Sequence, residues 1–269
     1  MSDISVSDEL HRRTREIWDA NAAFWDGRFG EGNDFHLTLI APATERLLNV
    51  QPGEQVLDVG CGNGAFARRL AALGCRVVAC DFSQAFLACA RARTVEHQER
   101  IAYRYLDATD AAQLDTLGAG RYDAIVSNMV LMDISAIEPL LHAVPRLLRP
   151  GGRFVFAVMH PCFSTPPDMR LVAEQQERDG ELVTTRWVQV SRYLTPSAYH
   201  GLGMIGQPEP QYYFHRPLCV LLGSAFQAGL VMDGIAEPAF GPEHASPRSL
   251  SWGNYHEIPP ALVVRLRPG

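Results

Sequence analysis

Apolar and polar positions along this chain fall into two alternating periods. From residue 8 to residue 26, Leu10, Ile17, Trp18 and Phe24 stand among charged neighbours at helical spacing, which predicts an amphipathic helix. Trp18 and Trp25, seven positions apart, share one face of it. Gly27 to Asn33 is glycine-rich and reads as a mobile loop, and a second helix is expected from His36 to Leu48, closed by Pro52-Gly53. Runs of strand and helix length then take turns: strand Gln55–Val59, helix Ala65–Leu73, strand Arg76–Cys80, helix Ser83–Glu96, strand Ile101–Leu106, a short helix near Ala111–Thr116, strand Ala124–Ser127, helix Ile137–Leu148 and strand Arg153–Met159. From His160 to His215 the alternation stops, in a proline-rich segment of weak periodicity too long for an ordinary loop. After it come a helix at Pro217–Ala228, a strand at Leu230–Ile235, a long connection rich in proline, serine and glycine from Pro238 to Pro260, and a last strand at Ala261–Leu266.

Strand–helix alternation requires right-handed crossovers and a doubly wound, parallel α/β sheet. The division that follows is a helical cap over residues 1–50, a core over 51–160, a substrate-side insertion over 161–215, and a helix with two strands over 216–269 that completes the core. Ligands of such sheets bind at the carboxyl ends of the strands, near the switch in strand order.

Composition narrows the class. A hydrophobic fraction of 47% over 269 residues is enough for a full core. The net charge of −6 argues against a nucleic-acid partner. No run approaches the ~20 apolar residues of a membrane span, and the acidic start, Met1-Ser2-Asp3-Ile4, does not resemble a signal peptide. Six cysteines without CxxC spacing suit buried, reduced thiols in a cytoplasmic protein, and no paired ligands stand at metal spacing.

The chemistry concentrates where the first strand breaks into a glycine turn, Asp58-Val59-Gly60-Cys61-Gly62-Asn63-Gly64, before a helix. Glycines there bring bare backbone against a ligand, and the helix start adds free N–H groups and partial positive charge. Nicotinamide and flavin enzymes use G-x-G-x-x-G at this place; here the third glycine is one residue early, and Asp58 before the turn would repel a pyrophosphate. Asp81, 17 residues beyond Gly64, ends the second strand and suits a ribose diol. Asp107-Ala108 after the third strand suits an adenine and its amine, and Ser127-Asn128-Met129 faces the ligand from the fourth.

Val56–Gly64, Asp81, Asp107-Ala108, Tyr122–Asn128 and Leu148-Arg149-Pro150-Gly151-Gly152 together resemble the successive motifs of the class I S-adenosylmethionine-dependent methyltransferases, over roughly residues 50 to 160. The resemblance implies a seven-stranded, Rossmann-like sheet whose last strand runs antiparallel. It implies S-adenosylmethionine as cofactor and S-adenosylhomocysteine as product. Gly60 and Gly62 would lie near the methionine part, Asp81 at the ribose hydroxyls, Asp107 and Ala108 at the adenine, and Asn128 and Met129 near the sulfonium, with Asp58, Cys61 and Phe82 also counted to the cofactor site.

Methyl transfer from a sulfonium is an in-line displacement that needs alignment and exclusion of water, with a base only where the acceptor loses a proton. His160, directly after strand five, is the candidate base; His215 and Arg216 open the helix after the insertion, where Arg216 would clamp a carboxylate. Tyr199 and Tyr213 from the insertion, with Trp25, Phe35 and His36 from the cap, are candidate acceptor-pocket residues, and the glycine loop at 27–33 would be the hinge of a lid. The His-Pro-Cys-Phe and His-Arg-Pro-Leu stretches resemble a bacterial small-molecule branch of the family. The function expected is methylation of an oxygen, nitrogen or carbon atom of a small metabolite, by a monomer or homodimer. A macromolecular RNA or protein substrate is the nearest competitor, opposed by the acidic charge and by Asn128-Met129-Val130-Leu131 standing where base-methylating relatives carry an Asn/Asp-Pro-Pro-Tyr type of tetrapeptide. A donor-binding protein that catalyses a non-methylating reaction is the third reading.

Overall fold

The computed structural model of the protein describes residues 3–164 and 167–269. In chain order its elements are α1 (Asp3–Phe29), a π-helical turn (His36–Ile40) running into α2 (Ala41–Leu48), β1 (Gln55–Val59), α3 (Ala65–Ala72), β2 (Arg76–Asp81), α4 (Gln84–Arg93), β3 (Ile101–Tyr105), α5 (Ala111–Asp115), β4 (Tyr122–Asn128), α6 (Glu138–Leu147) and β5 (Leu148–Met159). There follow β6 (Met169–Arg178), β7 (Glu181–Val190), β8 (Ser197–Gly201), β9 (Gln211–His215), α7 (Leu218–Gln227), β10 (Leu230–Ala236) and β11 (Ala261–Pro268).

Seven strands form one sheet in the order β10-β11-β5-β4-β1-β2-β3. The β5-β4-β1-β2-β3 run is parallel, and β11 is antiparallel to both β5 and β10, which is the reversed last strand expected of this doubly wound α/β fold. Strand order reverses between β1 and β4, so the crevice at their carboxyl ends is the switch point. Central strands are buried on both faces, which is why they read as continuous apolar runs. One core packs Leu57, Ile125 and Phe156 of the sheet under α6 and α7; the other packs Val56, Val126 and Val155 with α2 and α3.

Two expectations about the flanks are corrected. The segment from Gly27 to Asn33 is not a free loop. Helix α1 continues through Gly27 to Phe29, and the few residues beyond are fastened: the Asn63 amide donates to the Gly30 carbonyl at 2.8 Å, and Arg68 pairs with Glu31 at 2.8 Å. Nor is the insertion irregular. It folds as two antiparallel pairs, β6–β7 and β8–β9, separate from the main sheet. The first is a ten-pair hairpin turned by Asp179-Gly180, both at positive φ (52° and 82°), the geometry a two-residue hairpin turn requires. Weak alternation hid it because most of this hairpin is exposed on both faces. The Asp-Gly dipeptide was the local signal that could have revealed it.

Candidate active site

At the switch point β1 ends in Asp58-Val59 and the chain turns through Gly60, Cys61 and Gly62 into α3. Gly60 lies at φ +75°, and a methyl group there would overlap the Val130 side chain, so only glycine fits. Its N–H and that of Cys61 both donate to the Cys80 carbonyl, at 2.8 and 2.9 Å, which ties the turn to the end of β2. Asp81 holds it from below. One carboxylate oxygen accepts the Gly62 N–H at 2.8 Å and the other the Ser83 N–H at 2.9 Å. Ser83 caps α4 through Phe86 N–H and donates its hydroxyl to Asp19 of α1 at 2.6 Å.

Asp58, buried, keeps one carboxylate oxygen without a partner. Burial and the nearby Asp81 push its carboxyl up to about 7, and burial pushes Asp81 up to about 6 against the two backbone N–H bonds that favour its ionised form. A cation beside them would relieve both. At the end of β4, Asn128 takes the Thr44 hydroxyl on its carbonyl oxygen at 3.0 Å, while its buried amide nitrogen has no partner. Asp107, after β3, is capped from α1 by His11 at 2.5 Å and bonded by Thr109. Desolvation raises this carboxyl, but the His11 and Thr109 bonds outweigh it and hold it below the usual carboxylate range.

These groups line a single cavity of about 860 Å³. Asp58, Gly60, Cys61, Gly62, Asp81, Phe82, Asp107, Ala108, Asn128 and Met129 all reach it. A methyl group on Gly62 would touch nothing nearer than 3.9 Å, so that turn faces open space. Trp25, Phe35, His36, Tyr199 and Tyr213 line its other half. Trp18 and Trp25 lie together with ring centroids 5.6 Å apart, and Tyr199 stacks on Tyr213 at 5.3 Å. His36 is buried and edge-on to Phe29 and Phe66; burial, with Arg69 nearby, lowers its imidazole to about 4 and keeps it neutral.

The structure sets three expected residues elsewhere. His160 is buried outside the cavity, with both ring nitrogens occupied: Nδ1 accepts the Cys162 N–H at 3.2 Å and Nε2 meets Glu237 at 2.9 Å. An imidazole so bound has no free lone pair to serve as a base toward this cavity, and burial lowers its affinity for a second proton. Arg216 donates to the carbonyls of Leu131, Ile134 and Ser135 at 2.7, 2.9 and 2.9 Å, so its guanidinium staples the loop after β4 and clamps no ligand. His215 bonds the Tyr193 carbonyl at 2.7 Å and lies against a small separate pocket. Sequence reasoning missed Asp133, Gln211 and Trp252, which line the cavity, and the α1 anchors His11, Asp19 and Asp26. No local pattern marks them, because each acts across a long chain separation.

Residues 57–156 match the family described as the methyltransferase domain. The match runs from β1 into β5 and covers less than half of the chain. The crystal structure of an S-adenosylmethionine-dependent methyltransferase from Mesorhizobium loti superposes with a TM-score of 0.64 at 25% identity, over 84% of this chain and 96% of that one. A ubiquinone biosynthesis O-methyltransferase of Alkalilimnicola ehrlichii is 31% identical over 56% of this chain and 61% of its own length. A demethylmenaquinone methyltransferase of Clavibacter sepedonicus is 35% identical over 51% of each. The chain thus spans about half the length of the curated relatives it matches, and its glycine turn and four carboxyl-edge residues meet at one cavity.

Proposed function

We propose that this protein transfers a methyl group from S-adenosylmethionine to an oxygen, nitrogen or carbon atom of a small metabolite. The observation that carries the reading is the cavity itself. A half built of glycine turn and carboxylates opens directly into a half walled by aromatic and apolar side chains.

The residues present fit this donor. Asp58 has a buried oxygen to spare and a carboxyl that a neighbouring cation would stabilise as the anion, and Asn128 has a free amide donor. Asp81 is braced by two backbone N–H groups and retains lone pairs for a diol; Asp107 and Ala108 line the same cavity and would meet the adenine edge. When bound, S-adenosylmethionine supplies an activated methyl on a sulfonium. The protein's part is to hold the acceptor in line and keep water out. Helix α1 with Trp18 and Trp25, β8–β9 with Tyr199 and Tyr213, and Trp252 from the long β10–β11 connection wall the cavity on the acceptor side.

A cavity of this size suits a metabolite rather than a nucleic acid or protein chain. The named activities of the two curated relatives, both methylations in quinone chemistry, support a small acceptor without specifying this one. Six free cysteines, and no described helix long and apolar enough to cross a membrane, agree with a cytoplasmic setting. Calorimetry with S-adenosylhomocysteine is the test: saturable binding that Asp81→Ala weakens supports the donor site, and a chain that ignores this nucleoside but binds a nicotinamide dinucleotide overturns it.

A further inference from the structure

The acceptor half of the cavity has one polar pole, and it is assembled by a relay of hydrogen bonds from three separate parts of the chain. The Trp25 indole N–H of α1 donates to Gln207 Oε1 at 3.1 Å, and the Gly203 N–H donates to the same oxygen at 3.1 Å. Gln207 Nε2 in turn donates to Gln211 Oε1 at 3.0 Å. With its oxygen so engaged, Gln211 has its NH₂ free for the Asp133 carboxyl, on the loop after β4, and lies close enough to favour that group's ionised form. The other oxygen, Asp133 Oδ1, is buried and has no partner. Asp133 is only 8% exposed, and Gln211 1%.

A buried, half-satisfied carboxyl costs stability unless something completes it. Here the carboxyl borders the cavity, beside the stacked rings of Tyr199 and Tyr213. The close approach of α1 to the insertion holds the arrangement shut: a methyl on Gly203 would lie 2.5 Å from the Trp25 ring and 2.9 Å from the Tyr213 hydroxyl. Around the pole the walls are Met132, Met169, Leu171 and the aromatic rings. Among the described residues lining the cavity are four carboxyl groups, Asp58, Asp81, Asp107 and Asp133, and no arginine; the chain contains no lysine. The basic side chains among these lining residues are the imidazoles of His36 and His200, so an anionic acceptor would meet no guanidinium or ammonium there.

Building on the methyl-transfer reading above, we propose that Asp133, oriented by Gln211 and Gln207, is the anchor of the acceptor end, and that it selects flat, mainly apolar molecules presenting a hydroxyl or amine to Oδ1 while rejecting carboxylates. Asp133 is a positioning and specificity residue in this scheme. Burial raises this carboxyl well above the ordinary range and so favours the form that can give a hydrogen as well as take one, which a hydroxyl or amine can reciprocate.

The experiment titrates three probes of one shape, 4-ethylphenol, ethylbenzene and 4-ethylbenzoate, into the full chain saturated with S-adenosylhomocysteine, following tryptophan fluorescence. The wild type is expected to prefer 4-ethylphenol over ethylbenzene by at least about fivefold, the worth of one buried hydrogen bond, and to bind 4-ethylbenzoate weakest. Asp133→Ala should erase the phenol preference while leaving S-adenosylhomocysteine affinity intact, and Asp133→Asn, which keeps the hydrogen-bonding shape, should restore it. A preference unchanged in Asp133→Ala, a benzoate bound as tightly as the phenol, or no probe bound by a chain that does bind S-adenosylhomocysteine overturns the proposal. Should Asp133→Ala not fold, the three-probe contrast in the wild type and in Asp133→Asn decides. A chain that does not bind S-adenosylhomocysteine contradicts the donor reading instead, and the same contrasts are then read on the free chain.

Discussion

Asp58 and Asp81 are acids whose native carboxyls bind protons more readily than an unfolded aspartate, because both are buried, with the Asp81 charge near Asp58 and the Asp19 charge near Asp81. The folded state therefore holds more protons than the unfolded state between about pH 4 and the native values of about 6 and 7, and stability falls as pH rises through that window. A sulfonium favours the ionised forms, so donor affinity should rise over the same interval. Calorimetric titrations with S-adenosylmethionine at about pH 5.5 and about pH 7.5 should show tighter binding at the higher pH, and Asp58→Asn should flatten the difference; equal affinities in the wild type would contradict the carboxylate pair as the cation site. Asp81→Ala removes the acceptor for two backbone N–H groups as well as the diol contact, and should weaken donor binding by about 1–3 kcal/mol. His160→Ala, by contrast, should leave the pH profile of turnover unaltered and lower thermal stability, since the ring fills hydrogen bonds at Cys162 and Glu237 and faces no ligand. A lost pH limb in that variant would return the histidine to the reaction. Asp58, Asp81 and Asn128 were legible in sequence because they follow strands at the edge where this sheet binds. His160 follows a strand too, and position alone could not show that its ring turns into the protein.

At the scale of elements, α1 is the part whose role depends most on tertiary contacts. Its polar anchors reach four different places: His11 to Asp107, Asp19 to Ser83, Asp26 to Asn63 and Arg93, and Trp25 to Gln207. Asp26 is the densest of these, its carboxylate accepting from Asn63 at 3.1 Å and pairing with Arg93 from α4. Burial alone would raise this carboxyl, yet the Arg93 and Asn63 bonds hold it below the ordinary range. Asp26→Ala should cost about 1–3 kcal/mol and quicken hydrogen exchange along α1 more than along α3; uniform exchange in the two helices would show that α1 is held by its apolar face instead. The amphipathic period of α1 and the pairing of its two tryptophans were plain in the sequence. What they pack on was not, since a helical stripe reports a buried face and never its partner. Gly27, read as a loop signal, sits inside the helix because packing on α4 outweighs the roughly 1 kcal/mol propensity of one glycine.

Across the whole molecule the sheet, the cap and the insertion meet at one cavity, but the insertion serves it with only part of its length. Met169 and Leu171 at the base of β6 line the cavity, whereas from Glu174 to the turn the strand is exposed. Replacing Gln175–Thr184 by a two-residue Asn-Gly turn should therefore change unfolding free energy by no more than about 1 kcal/mol and leave S-adenosylhomocysteine affinity unchanged; a collapse of either would assign the hairpin arm a part in the core. The alternation of apolar strands and amphipathic helices determined by itself the doubly wound sheet, the position of its switch point and the glycine turn with its acidic neighbours, because each depends on periodicity and backbone freedom within short stretches. The acceptor pole was decided only in three dimensions. Trp25, Gln207, Gln211 and Asp133 are spread over most of the chain, and a hydrogen-bond relay among buried groups exists only once packing has removed water from all of them.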